Sequence, residues 1–430
     1  MILTKVLVVD DSIVFRKILE EALNRQVGIR VVGTAKNGKE ALQLIRTHRP
    51  HLVVLDVEMP EMNGLQTLDE IRRQKLNVGV IMFSSLTSEG ARTTLEALSK
   101  GAFDFVPKPA GTGAFAESVK KIQEDLVPKI RVYAESQKIA VPKPTAKTVA
   151  APQLSTTATA AHLVPGKTIS APSEPLKTST GVSTPRKTPA APQVARPGMS
   201  NRIVAVPANS GNITVQTTPR PSRIAVTRPG QIEIVGIGVS TGGPNALNEV
   251  IPKLPANFNL PVLLVQHMPP VFTTQLANRL NEKSKVKVVE AQEGMKIEPG
   301  TVYLAPGDYH MEITVNGTER IISLNQKPPE NSCRPAVDVL FRSISHVYGG
   351  RSLAVIMTGM GQDGFKGIQE LKAKGAVIIA QNQETCVVWG MPKFVVESGL
   401  ADRVCPLNEI ASAIVEITMT SKRPMMESER

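Results

Sequence analysis

Aromatic residues are scarce in this chain, with one Trp, four Tyr and ten Phe among 430 residues. Cysteine is scarcer still: Cys333, Cys386 and Cys405 stand alone, with no CxxC pair. Three unpaired thiols exclude a disulfide framework and a cysteine-based zinc site, and they suit a reducing, cytoplasmic compartment. Long apolar runs are missing, and nothing approaches the roughly 20 apolar residues of a membrane span. The first apolar run, 6–9, ends in Asp10-Asp11 and is too short for the core of a signal peptide. Acidic residues are missing from one region only. Residues 131–230 carry 13 Lys and Arg against Glu135 and Glu174, so +11 of the net +12 sits there and the rest of the chain is nearly neutral. With Tyr133 as that region's one aromatic there is no base-stacking platform, and no nucleic-acid partner is expected.

The same region is rich in what other parts lack. It holds 14 of the 33 prolines and is dense in Thr, Ala and Ser, a composition that buries too little apolar surface to offset chain entropy. A disordered linker is expected over 128–230, between a domain at 1–127 and a second at 231–420, with a tail at 421–430. Before the linker, short Val/Ile/Leu runs at 5–9, 29–35, 52–56, 79–83 and 104–107 alternate with helical patterns at 12–24, 38–47, 63–74, 88–99 and 113–126. Five such units predict an α/β domain with a parallel, doubly wound sheet. After the linker, strands are expected at 232–239, 261–266, 287–290, 352–357, 376–380 and 403–405. Helices are expected at 244–253, 271–281, 336–347, 364–373, 386–397 and 407–419. An antiparallel excursion at 301–305, 309–315 and 320–324 turns at Asn316-Gly317. This is a second parallel α/β domain with a hairpin insert.

In a parallel sheet the carboxyl ends of the strands gather on one edge, where ligands bind. Asp10, Asp11 and Asp56 end the first and third strands, Ser84 ends the fourth, and Lys108 follows the fifth in Pro107-Lys108-Pro109. Any one of these Asp residues alone reads equally well as a helix cap. Together, three carboxylates need a divalent cation among them, and oxygen ligands suit Mg²⁺. A cation and Lys108 would stabilise a phosphoryl group moving to a carboxylate, and Ser84 would hydrogen-bond the product. This set resembles response-regulator receiver domains over about 3–127. The resemblance implies a flavodoxin-like fold, Asp56 as phosphoacceptor, and Phe105 as the aromatic switch position. It also implies Asp10, Asp11, Asp56 and the Glu58 backbone carbonyl as Mg²⁺ ligands.

The second domain opens with Gly236-Ile237-Gly238-Val239-Ser240-Thr241-Gly242-Gly243-Pro244 after an apolar strand. Three readings compete. A dinucleotide fingerprint needs Gly where Thr241 stands and an acidic residue where the next strand ends in Gln266-His267. A plain strand–helix turn would use Ser240 as a helix cap. A nucleophile turn, G-x-S-x-G, would lift the Ser240 hydroxyl to the sheet edge beside backbone N–H groups. The last requires a base and an acid at the same edge. Of six histidines, only His267 ends a parallel strand of this domain, and 358–364 is a Gly-rich loop that presents Asp363 after another strand. Asp363 alone would again read as a cap.

Residues 238–244, 266–269, 334–341 (Arg-Pro-Ala-Val-Asp-Val-Leu-Phe), 358–364 and 389–392 (Trp-Gly-Met-Pro) together resemble the chemotaxis receptor methylesterase family, CheB. The resemblance implies a Rossmann-like catalytic domain with Ser240 as nucleophile, His267 as general base, Asp363 as its orienting acid, and Thr241 and Met360 in or near the oxyanion site. It implies hydrolysis of glutamyl methyl esters on the cytoplasmic helices of chemoreceptors, without a cofactor, and in some members deamidation of receptor glutamines. A chemotaxis histidine kinase would supply the phosphoryl group, and a monomer is expected. In the family the unphosphorylated receiver packs over the catalytic edge and inhibits it. A flexible linker of about 100 residues spans roughly 50–60 Å, so docking here would need an interface strong in its own right. The alternative is a catalytically silent output domain kept as an interaction surface.

Overall fold

The computed structural model describes residues 3–109, 115–139 and 232–419. Most of the expected linker and the tail 421–430 lie outside them.

The first domain forms a five-stranded parallel sheet of order β2-β1-β3-β4-β5. Its strands are β1 (Thr4–Val9), β2 (Ile29–Ala35), β3 (Leu52–Asp56), β4 (Gly79–Ser84) and β5 (Asp104–Pro107). Helices α1 (Ile13–Asn24), α2 (Gly38–His48), α3 (Gly64–Arg73), α4 (Ser88–Ser99) and α5 (Phe115–Ile139) cover both faces. Strands buried on both faces read as unbroken apolar runs, and every residue of β3 and β4 is buried. Side-chain caps start the helices where expected: Asn37 accepts from Glu40 N, Asn63 and Gln66 form a capping box, and Thr87 accepts from Gly90 N. At Gly64 a Cβ would sit 2.1 Å from the Asp56 carbonyl oxygen, so only glycine lets α3 begin this close to the end of β3.

The sheet corrects one boundary. Helix α5 does not stop near 127 but runs through Pro128 to Ile139. An interior proline costs a helix about 3 kcal/mol. Burial of Val127, Ile130 and Tyr133 on the sheet offsets it, and Tyr133 packs edge-on against Phe103 at 5.1 Å.

The second domain is a seven-stranded parallel sheet of order β14-β13-β12-β6-β7-β9-β8. Its strands are β6 (Ile234–Val239), β7 (Val262–Gln266), β8 (Lys287–Glu290), β9 (Thr301–Leu304), β12 (Ser352–Ile356), β13 (Val377–Gln381) and β14 (Arg403–Cys405). Its helices are α6 (Gly243–Val250), α7 (Phe272–Lys283), α8 (Val337–Tyr348), α9 (Phe365–Ala373), α10 (Met391–Glu397) and α11 (Leu407–Met419). The hairpin is β10 (His310–Asn316) with β11 (Glu319–Asn325), closed by Gly317 at φ 60. Two expectations change. Thr301–Leu304 is no part of the hairpin but a parallel strand wedged between β7 and β8, buried throughout. Helix α10 starts at Met391 rather than 386, because 386–390 form an irregular, bent stretch in which Trp389 makes an isolated parallel bridge to Gly359.

The two domains belong to one compact unit. A single apolar cluster runs from Ala91, Leu95 and Leu98 on α4 through Phe105 into Leu247 on α6 and Phe272 and Leu276 on α7. In the second sheet the chain leaves β6 toward β7 on one side and returns through β12 on the other. That reversal opens a crevice at the carboxyl ends of β6 and β12.

Candidate active site and phosphoacceptor edge

At the carboxyl edge of the first sheet, Asp10 and Asp56 are buried and Asp11 is exposed. Lys108 Nζ lies 2.9 Å from both Asp10 Oδ2 and Asp56 Oδ2. Neither oxygen has a hydrogen-bond partner beyond that charge contact, and oxygens of Asp10, Asp11 and Asp56 lie within 4.8 Å of one another. Burial and the Asp10 charge push the Asp56 carboxyl up to about 7, against the pull of Lys108. Asp10 is likewise raised, chiefly by burial. Two crowded buried carboxyls with free lone pairs and one lysine are short of positive charge, which fits an oxygen-liking divalent cation. The Ser84 hydroxyl is buried at the end of β4 and donates to the Ser85 carbonyl at 3.2 Å.

At the carboxyl edge of the second sheet, Ser240 follows β6, His267 follows the adjacent β7, and Asp363 follows β12. Ser240 is not a cap: the residue that precedes α6 as its cap is Gly242, at φ 79, and no side chain caps the helix. Nor is it the strained elbow that G-x-S-x-G suggests, since the positive φ falls on Gly242 and not on Ser240. Its backbone is gripped instead. Ser240 N donates to Thr358 O at 3.0 Å, and Gln266 Nε2 donates to Ser240 O at 3.0 Å. At Gly359 a Cβ would lie 2.8 Å from Ser240 Cβ, so this glycine lets the loop that carries Met360 lie against the Ser240 turn.

His267 Nε2 and Asp363 Oδ2 are 2.7 Å apart. Asp363 does not cap its own helix. It reaches across to the start of α8, where Val337 N donates to Oδ2 at 2.6 Å and Asp338 N to Oδ1 at 3.0 Å, while Asn331 Nδ2 donates to Oδ1 at 2.8 Å. Helix N-termini favour anions, so the carboxylate is held by partial positive charge as well as by hydrogen bonds. Burial would raise the Asp363 carboxyl, but His267 and the two amides reverse this and hold it below the usual carboxylate range. For His267 burial pulls down, and the contacts with Asp363 and Cys333 more than reverse it, leaving the imidazole raised. A seryl hydroxyl, an imidazole and a buried ionised carboxylate thus converge on one crevice in the order Ser…His…Asp.

A family model described as CheB methylesterase matches residues 235–414, and one described as response regulator receiver domain matches residues 6–120. A protein-glutamate methylesterase/protein-glutamine glutaminase of Desulfotalea psychrophila is 42% identical over 419 residues, covering 96% of this chain and 97% of the relative. The chain belongs to the CheB methylesterase family. Relatives with the same name in Trichodesmium erythraeum (39% over 411 residues; 96% of this chain, 98% of the relative) and Pyrococcus abyssi (37% over 411; 96% and 92%) match it along nearly their full length. This is a receiver-linked CheB chain, and among its described residues no helix is long and apolar enough to cross a membrane.

In this CheB chain the receiver lies directly beside the edge that carries Ser240, His267 and Asp363. Thr241, next to Ser240, is buried and donates through Oγ1 to Asp104 Oδ2 at 2.9 Å, and Lys129 Nζ holds the same oxygen at 2.5 Å. Phe105 stacks on Phe272 with centroids 4.5 Å apart and planes 12° apart. Asn245 Nδ2 donates to the Leu98 carbonyl at 2.8 Å. The sequence reading placed Phe105 and Thr241 in separate sites, whereas both meet at the domain contact. It missed Asp104, Lys129, Asn331 and Cys333. Lys129 is in reach only because α5 continues past Pro128, and the other three are ordinary loop or strand-start residues with no local signal. Among the described residues no hydrogen bond joins Ser240 Oγ to His267, and Met360 lies in the loop beside Gly390, where a Cβ would come within 3.2 Å of Met360 Cα.

Proposed function

We propose that this CheB chain is a phosphorylation-controlled serine hydrolase that cleaves glutamyl methyl esters of chemoreceptor cytoplasmic helices, releasing methanol. The observation that carries it is the His267–Asp363 pair, fixed by α8 and set beside Ser240 at the sheet's switch point. Asp363 takes Nε2, so Nδ1 is the nitrogen that receives the Ser240 proton as the hydroxyl attacks the ester carbonyl. The tetrahedral oxyanion is met by backbone N–H groups around Thr241 and Met360, methanol departs with the proton from His267, and water activated by the same imidazole releases the glutamate. A primary amide presents the same carbonyl, so glutamine side chains are a second substrate class, with ammonia as the leaving group. Ser240→Ala is expected to abolish methanol release from methylated receptor, and near-wild-type release would sink the assignment.

Control follows from the contact between the domains. Asp56 is the phosphoacceptor, and Asp10, Asp11, Asp56 and the Glu58 carbonyl would hold Mg²⁺, which would supply countercharge for phosphoryl transfer from a histidine kinase. Lys108 neutralises the incoming group, and the Ser84 hydroxyl exchanges the Ser85 carbonyl for a phosphoryl oxygen. Ser84 and Pro107 are paired across β4 and β5, so this exchange reaches the strand that carries Asp104 and Phe105. Loosening these residues from Thr241 and Phe272 opens the crevice to a receptor helix. A domain comprising 231–430 is expected to hydrolyse receptor esters at least tenfold faster than the unphosphorylated full chain, and phosphorylation of Asp56 should close that gap. Equal rates for all three forms would leave the receiver without a restraining role.

A further inference from the structure

The imidazole of the proposed base has a second partner that the reaction does not assign. With Nε2 on Asp363, Nδ1 is the nitrogen left for proton transfer, and Cys333 Sγ lies 3.5 Å from it. Cys333 arrives there on a built turn. Glu330 and Cys333 exchange both backbone hydrogen bonds, at 3.1 and 2.9 Å, around Asn331 and Ser332, which sit at φ 52 and 62. Two successive non-glycine residues in the left-handed region persist only where their surroundings enforce it. Here the enforcement is visible: the Glu330 carboxylate is gripped by Nη1 and Nη2 of Arg342, and Arg334 Nε donates to Asp308 at 3.0 Å. The same turn sends Asn331 Nδ2 to Asp363 Oδ1. One four-residue turn therefore touches both members of the acid–base pair.

We propose that Cys333 is a positioning residue for the general base: its sulfur accepts from Nδ1–H while the ring is protonated, its S–H donates to Nδ1 once that proton is lost to solvent and the ring can act as base, and in both states it holds the ring, opposite Asp363, in the plane that serves Ser240. This rests on the reading of His267 as base. Sulfur is a weak acceptor. The contact restrains the ring in the resting enzyme and yields Nδ1 when substrate brings the seryl hydroxyl into line. The charged and titratable groups around the imidazole are Asp363 and Cys333 in direct contact, with Asp338 and the Glu330–Arg342 pair behind Asp363. Since Cys333 is one of the groups that raise His267, its removal should also make the free base available at lower pH.

The test is methanol release by the full chain, phosphorylated with acetyl phosphate and Mg²⁺ and normalised to phosphorylated fraction, followed as kcat and KM across pH. Cys333→Ala is expected to lower kcat at the optimum about tenfold with KM unchanged, the usual scale for a slightly misplaced catalytic group. Its acidic limb should move to lower pH by roughly half a unit or more, the size of one hydrogen bond. Cys333→Ser should recover most of kcat and part of the shift. A uniform loss with an unmoved limb, or a wild-type profile, overturns the proposal. Should the Ala variant fail to fold, the Ser variant's limb decides, and an unmoved limb there overturns it as well. His267→Ala separates the two readings: if it stays active the base assignment itself fails, whereas if it is inactive beside a wild-type Cys333→Ala profile only the role of Cys333 falls.

Discussion

The two sheet edges place buried aspartates in the same position and treat them in opposite ways. Asp56 sits beside Asp10 with one lysine between them, and its carboxyl is pushed up to about 7. Asp363 is as deeply buried, yet two helix amides, an asparagine and an imidazole hold it below the usual range. Burial is the largest influence on both, and it is the partners that decide the sign. At the second edge the carboxylate and the imidazole are already joined, and groups held in place cost no reorganisation in a transition state. The receiver edge is left short of positive charge, so that a cation and a phosphoryl group change it. One edge is built to stay and the other to be altered.

The sharpest way to break this comparison is at the finished edge. Asp363→Asn keeps the shape but loses the charge and favours the wrong imidazole tautomer, and kcat is expected to fall about 10⁴-fold, as for triads generally. A loss below tenfold in single-turnover methanol release would mean that the carboxylate orients nothing. A smaller effect is expected where the edges meet. Asn245→Ala removes one hydrogen bond across the contact, worth about 1 kcal/mol, and should raise ester hydrolysis by the unphosphorylated chain roughly fivefold. The phosphorylated rate should stay the same, and an unchanged basal rate would place the restraint elsewhere.

The smallest effects are on stability, and there the two edges should part with pH. A carboxyl raised in the folded state contributes stability that is complete below its unfolded value and is lost as pH rises through its folded value. Without Mg²⁺ the receiver should therefore weaken between pH 3.8 and about 7 as Asp56 ionises. Asp363 is lowered, so its contribution is present above the ordinary carboxylate value and is lost on acidification through the folded value. Hydrogen exchange read separately in each domain should show the receiver weakening across that window, while the second domain weakens only on acidification below 3.8, toward the lowered Asp363 value. Asp56→Asn should flatten the receiver's slope and stabilise it at neutral pH by roughly 1–2 kcal/mol, or about 4–8 °C in melting temperature per kcal/mol. Parallel slopes in both domains would remove the contrast.

Much of this was legible without coordinates. The strands at 29–35, 52–56, 104–107, 287–290 and 403–405 and the helices at 88–99 and 407–419 stand where periodicity placed them. The receiver edge was readable because each of its residues ends or follows a strand, and strand ends can be seen where an apolar run stops at Asp10, Asp56 or Ser84. The misreadings have a common source. β9 was attached to the hairpin because a short apolar run carries no mark of its neighbours, and α5 was cut at Pro128 because a local penalty is visible while the burial of Ile130 and Tyr133 is not.

By itself the sequence determined that there are two parallel α/β domains, and that Ser240, His267 and Asp363 each stand at the end of a strand. Apolar period and turn residues are local quantities, which is why they could be read. Only the tertiary structure decided that the Asp363 carboxylate would accept from the first amides of α8, that Asn331 and Cys333 would close on the Asp363–His267 pair, and that Lys129, Asp104 and Thr241 would link the receiver to the Ser240 turn. The Thr241–Asp104 contact joins residues 137 positions apart, and that between His267 and Asp363 spans 96. Contacts of that span depend on strand order and on what a helix start lacks, and neither is written in any one stretch of the chain.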